Sequence, residues 1–183
     1  MKPVAEPTRK QVKNQNGQLL RVLMLNDDRT ICKLIGQMLD FHFECEYEPV
    51  GRGERAIRRL LEGKYDLMLL DSRLPNVVYA ELPAAIAAVY RTIPKERRYP
   101  GGVKRWTEGE RLFWMLRSPD VADLGWATDV GSVPVIFLTG AARDLDRATI
   151  RTMPPVAILG MPTDLDQLIG EIKKLSRVPQ AAG

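Results

Sequence analysis

The chain has 183 residues, 45% of them apolar and 27% charged, a balance that suits one soluble domain able to bury a core. One histidine and two cysteines exclude multi-histidine sites, disulfide-rich scaffolds and four-cysteine zinc sites. A formal charge of +4 is too small, and too unevenly placed, to mark the whole domain as a nucleic-acid binder.

Residues 1–20 are polar, with four basic and one acidic side chain, two prolines and an NQNGQ run, and read as a flexible arm. They lack the apolar centre of a signal peptide. The longest nearly apolar stretch, Leu82 to Tyr90, is far too short to cross a bilayer. The chain therefore has the pattern of a reduced, cytoplasmic protein.

Val22 to Leu25 is a continuous apolar run stopping at Asn26-Asp27-Asp28, as expected of a strand buried on both faces of a parallel sheet. Ile31, Leu34, Ile35, Met38 and Leu39 follow at helical spacing. Glu44 to Val50 alternates like a second strand, and Ala56, Ile57, Leu60 and Leu61 mark a second helix ending near Gly63. Leu67 to Leu70 is another buried-strand run and ends at Asp71. After residue 107, Glu108 to Arg117 has helical spacing, and Pro119 to Ser132 is a turn-rich connection. Val133 to Leu138 is a strand ending at Thr139-Gly140, and residues 141–152 suit a polar helix. Val156 to Leu159 is a last strand, followed by Gly160-Met161-Pro162. Thr163 is the expected N-cap of a final helix whose apolar face is Leu165, Leu168, Ile169, Ile172 and Leu175. Residues 178–183 form a tail.

Five strands, each followed by a helix, imply an α/β doubly wound parallel sheet with helices on both faces. Ligands of such sheets bind at the carboxyl ends of the strands. Asp27 and Asp71 fall at two such ends. Paired carboxylates repel unless a cation lies between them, and few hard oxygen ligands suit Mg²⁺, which keeps waters and often co-binds phosphoryl groups. Thr139 adds a hydroxyl at the same edge. The set suits magnesium-assisted phosphoryl transfer to a carboxylate.

These residues resemble the receiver domain of two-component response regulators. The resemblance rests on Val22 to Asp28 (VLMLNDD), Asp66 to Asn76 (DLMLLDSRLPN), Val133 to Gly140 (VPVIFLTG) and Val156 to Pro162 (VAILGMP). It covers about residues 21–177, one domain, and implies a flavodoxin-like strand order 2-1-3-4-5. It further implies that Asp71 is the phosphoacceptor. Asp27, Asp71 and the backbone carbonyl of Arg73 would bind Mg²⁺, with Asn26 reaching the metal through water. Thr139 would be the switch residue, and Met161-Pro162 would be a cis bond. The partner would be a histidine kinase or phosphotransfer protein. The role would be that of a phosphoacceptor in a phosphorelay, not of an enzyme.

Three positions depart from the family pattern. Asn26 stands where an acid is usual, Met161 where a lysine pairs with the phosphoryl oxygens, and Ile158 at the aromatic switch position. Arg73 is a candidate replacement for the phosphate-contacting cation, because its guanidinium is always charged and forks onto phosphate. These departures keep a second reading open, a degenerate receiver that binds partners without phosphorylation. An aspartyl-nucleophile phosphatase would place a second Asp where this chain has Arg73.

Residues 77–107 expand the family's short loop before Glu108-Gly109. They carry six basic and two acidic side chains. Leu82, Ala85, Ile86, Val89, Tyr90 and Ile93 have helical spacing, and Pro94 ends it. The basic stretch after it, with Tyr99 and Trp106, would be a solvated loop, a lid or a surface for a downstream protein partner. One short patch without a known binding motif argues against direct nucleic-acid contact. Cys32 and Cys45 read as packing thiols. With the receiver subtracted, no length remains for an output domain, so output would pass through protein contacts.

Overall fold

The structure, a computed structural model, describes residues 18–99, 102–122, 124–126 and 129–176. The tail expected at 178–183 lies outside these residues, as do residues 1–17 of the expected arm. The last residue of that arm, Leu20, instead opens the first strand, because its side chain is fully buried beneath the sheet's neighbours.

The strands are β1 (Leu20–Leu25), β2 (Cys45–Val50), β3 (Leu67–Leu70), β4 (Glu96–Tyr99), β5 (Gly102–Arg105), β6 (Val135–Thr139) and β7 (Val156–Gly160). The helices are α1 (Arg29–His42), α2 (Gly53–Glu62), α3 (Ala84–Thr92), α4 (Glu108–Arg117), α5 (Arg147–Ile150) and α6 (Leu165–Leu175). Five strands form one parallel sheet in the order β2-β1-β3-β6-β7. Counted without β4 and β5, which pair only with each other, this is the expected order 2-1-3-4-5.

The central strands are apolar on both faces because both are covered. Leu23, Leu25, Met68, Leu70, Val135 and Phe137 pack against α2, α3 and α4. Val22, Met24, Leu67, Leu69, Ile136 and Leu138 pack against α1 and α6. The parallel register (Val22 opposite Leu67, Met68 opposite Val135) brings the carboxyl ends of β1, β3 and β6 to one edge. Asp28 caps α1 by accepting the Thr30 and Ile31 amides, so the chain turns straight from the end of β1 into a helix.

Four local expectations change. Residues 141–152 are mostly turns, and only Arg147–Ile150 is helical. The Asp144 amide folds back onto the Ala141 carbonyl, and the Asp146 amide is held by Glu110, so the helix begins late. Asp164, not Thr163, caps α6, since its carboxylate accepts the Asp166 amide while the Thr163 hydroxyl bonds a carbonyl. Leu34 is 59% exposed and Leu165 43% exposed, so both leave the apolar faces assigned to them. Ala85 is likewise exposed, and α3 docks through Ile86, Ala87 and Tyr90. The basic stretch after Pro94 is a hairpin: Glu96 pairs with Arg105 and Tyr99 with Gly102.

The segment before this hairpin is bound to α4 by buried polar groups. Glu108 accepts the Tyr90 hydroxyl at 2.7 Å, the Val77 amide at 3.2 Å and the Arg111 guanidinium at 3.0 Å. Arg111 also donates to the Tyr79 hydroxyl and lies over the Tyr90 ring. A buried charge pair depends on filling its remaining bonding capacity. Here both terminal nitrogens of the Arg111 guanidinium are engaged, while its buried Nε has no hydrogen-bond partner among the described residues. Arg117, farther along α4, donates to the carbonyls of Val130 and Val133. Burial holds its guanidinium down to about 10. No helix among the described residues is long and apolar enough to cross a membrane.

Candidate functional site

Three strand ends build the site. β1 delivers Asn26 and Asp27, β3 delivers Asp71, Ser72 and Arg73, and β6 delivers Thr139. Asn26 is only 3% exposed, with its carboxamide oxygen accepting the Asp28 amide at 2.8 Å. This small turn shapes the loop that leaves Asp27 at the surface.

Asp71 is half-buried. Burial pushes its carboxyl above the usual aspartate range; the Arg73 amide, the Thr139 hydroxyl and the Ser72 amide pull it back, and the charge of Asp27 raises it again. Thr139 is 1% exposed, and its hydroxyl oxygen lies 2.5 Å from that of Ser72. It also accepts the Ala141 amide at 3.1 Å. If the single Thr139 proton serves Asp71, Ser72 must donate to Thr139, giving a chain Ser72 to Thr139 to Asp71.

Gly109 fixes the height of this loop. Its amide donates to the Ser72 carbonyl at 3.0 Å. A Cβ at Gly109 would overlap the Asp71 carbonyl oxygen and come within 2.7 Å of the Ser72 Cα. Only glycine lets the start of α4 approach the Asp71 backbone so closely.

The donors fit Mg²⁺ in chemistry, though thinly. Among the described residues no three acidic, histidine or cysteine side chains gather to hold a metal. Two carboxylates, a main-chain carbonyl and waters make a donor set of the kind Mg²⁺ accepts. A cation there would offset the burial of Asp71 and its repulsion by Asp27.

The structure brings Asn26, Asp27, Asp71 and Thr139 to one edge, with Arg73 lining the cleft beside Asp27 and Ser72. The Arg73 guanidinium is exposed and paired with Asp144 at 3.1 Å. Met161 packs against the α1/α6 core, and Ile158 packs on the opposite core. The Met161-Pro162 bond is cis, as the resemblance implies. Cys32 is buried, Cys45 is half-buried, and burial pushes both thiols up, Cys45 to about 11, so neither favours a reactive thiolate.

Sequence reasoning places Ser72 directly after β3 and offers 77–107 as a lid, but it does not show the close approach of Gly109 or the hairpin that forms the site's outer wall. The site opens into a cleft of about 770 Å³ whose lining includes Asp27, Ser72, Lys95, Arg105, Trp106 and Glu108. The basic run and Trp106 were visible in the sequence, but no periodicity places a hairpin beside a strand end that is distant in the chain.

No protein-family model and no curated protein matches the chain. Solved structures do match its fold. A CheY-like response regulator receiver domain protein from Methanospirillum hungatei is 17% identical, with a TM-score of 0.55 over 87% of this chain and 94% of that one. The receiver domain of a Pseudomonas aeruginosa sensor histidine kinase, with a magnesium ion coordinated in its active-site cleft, is 18% identical. Its TM-score is 0.54, over 86% of this chain and 98% of that one. A Vibrio cholerae CheY4 chemotaxis protein is 12% identical, with a TM-score of 0.53 over 86% and 98%. The chain has the receiver fold.

Proposed function

We propose that the chain is a receiver-type signalling module whose Asp71 accepts a phosphoryl group from a histidine kinase or a phosphotransfer protein. The observation that carries this reading is the convergence of Asp27, the half-buried Asp71 and Thr139 on adjacent strand ends. The magnesium named for the Pseudomonas receiver supports the same metal here. Asp27, Asp71 and the Arg73 carbonyl would hold it, with Asn26 acting through water.

An Asp71 carboxylate oxygen attacks phosphorus and forms the new O–P bond. The bond from phosphorus to the donor breaks, and its electron pair leaves with the donor group. Bound Mg²⁺ supplies charge neutralisation between the carboxylates and the incoming phosphoryl oxygens. Thr139, already bonded near Asp71, is the switch hydroxyl that follows the phosphoryl group. The protein acts in this reading as a phosphoacceptor in the cytoplasm and not as an enzyme. Its output passes to a downstream protein, with the 77–107 segment as a candidate contact surface; nucleic acid is not a partner.

The test is incubation with Mg²⁺ and a small acyl phosphate, followed by intact-mass measurement. Wild type should gain one phosphoryl group and Asp71→Asn none. A wild type that stays unlabelled under conditions that label an ordinary receiver would sink the phosphoacceptor role. The second reading, phosphorylation-independent partner binding, is favoured by Met161, an uncharged, half-buried side chain against the α1/α6 core where the family places a phosphate-binding lysine. A partner that binds wild type and Asp71→Asn equally would support it.

A further inference from the structure

The cations at the cleft differ in what they already hold. Arg111 is bound to buried Glu108, and Arg73 is paired with Asp144. Lys95 and Arg105 line the same cleft as Asp27 and Ser72, and neither makes an ion pair with a described residue. Both stand at the base of the β4/β5 hairpin. Its last rungs hold them: Arg105 pairs with Glu96, and the Trp106 amide donates to the Lys95 carbonyl at 2.9 Å.

That base is tied to the phosphoacceptor loop. The Trp106 ring meets the Trp114 ring of α4 edge-on at 5.4 Å. The next residue, Thr107, caps α4 in a reciprocal capping box with Glu110. Two residues later, Gly109 donates to the Ser72 carbonyl beside Asp71. Lys95 and Arg105 are thus carried on a short bonded path from the loop that holds Asp71. Their face of the cleft also contains Asp27 and the Glu108–Arg111 pair, whose charges largely cancel.

We propose that Lys95 and Arg105 form a phosphate-dianion subsite in this cleft. They would neutralise the phosphoryl oxygens from the hairpin side, taking the role that a lysine at the Met161 position, after β7, would otherwise fill. This deepens the phosphoacceptor reading and rests on it only for the covalent step. A forked guanidinium and an ammonium suit an anion that is both doubly charged and exchangeable.

Two measurements on the full chain test it, each with the Lys95→Ala/Arg105→Ala double variant checked for a wild-type circular dichroism spectrum. In the first, inorganic phosphate is titrated while the Trp106 indole resonance is followed. Wild type and Asp71→Asn should show a saturable shift, and the double variant should bind roughly tenfold more weakly or not at all. No saturable shift in wild type, or equal binding by the double variant, overturns the subsite. In the second, labelling by a small acyl phosphate with Mg²⁺ should slow by roughly tenfold in the double variant and recover when Met161→Lys is added to it. A double variant labelled at the wild-type rate overturns the subsite while Asp71 stands as phosphoacceptor. Phosphate binding as expected, with no labelling of wild type, keeps the subsite and removes the phosphoacceptor role.

Discussion

On one face of the sheet, α1 and α6 cover Val22, Met24, Leu67, Leu69 and Ile136 with Ile35, Met38, Leu39, Leu168 and Ile172. Every one of these side chains is apolar, and the helical spacing in the sequence places nearly all of them. On the other face, α2, α3 and α4 bury a similar aliphatic layer but also Glu108, Glu110 and Arg111. The difference follows from the 77–107 segment. Its helix α3 must be held against α4, and the hold combines Ile86 and the Tyr90 ring with the Glu108–Arg111–Tyr79 bonds. An apolar face tolerates any well-packed neighbour, whereas a charged network accepts one register. The face that needs positional accuracy is also the one whose helix α4 presses Gly109 onto the Asp71 loop.

The largest effect that would break this contrast is expected at Glu108. Glu108→Ala leaves Arg111 buried without its carboxylate and should cost about 3–5 kcal/mol in urea unfolding. Hydrogen exchange should show 84–92 losing protection before α1 does; uniform loss would mean that the two faces are not separately held. Gly109→Ala comes next. The added methyl must push α4 off the Asp71 carbonyl, for about 1–3 kcal/mol, and should shift the Asp71 and Ser72 amide resonances. An unmoved loop would show that the close approach is not what sets its height.

Asp71→Asn works in the other direction. Because burial raises the Asp71 carboxyl, the folded state favours its protonated form. Its contribution is full below the ordinary value of 3.8 and is lost as pH rises through the raised one. Without divalent ions, the variant should melt above wild type at neutral pH, and the gap should close in acid below that ordinary value. Mg²⁺ should raise the melting temperature of wild type and leave Asp71→Asn unchanged. The smallest effect is expected on the simple face: Leu34→Ser, at a 59% exposed position of α1, should change stability by less than about 0.5 kcal/mol.

The sheet was legible because its cause is local. Runs such as Leu67 to Leu70 need two covered faces wherever they lie, and Asp27, Asp71 and Thr139 stand directly after such runs. That is why two carboxylates distant in sequence were recognisable as one edge. The helix 141–152 was misread because its polar residues carry no apolar stripe, and the Glu110 bond that sets its start comes from another element. The partner of Arg73 was hidden for a similar reason. The position of Arg73 beside Asp71 is fixed by sequence, but the direction of its guanidinium is fixed by Asp144.

By itself, then, the sequence determined the alternation of strands and helices, the carboxylates at the strand ends, and the basic character of the 77–107 segment. These depend on the side-chain period and on which residues follow each strand. Tertiary structure decided which charges are already satisfied. It paired Arg111 with Glu108 and Arg73 with Asp144, and left Lys95 and Arg105 lining the cleft beside Asp27. The overall charge of +4 could not reveal this. Electrostatic effect depends on distance and burial, and both are set by contacts between segments far apart in the chain.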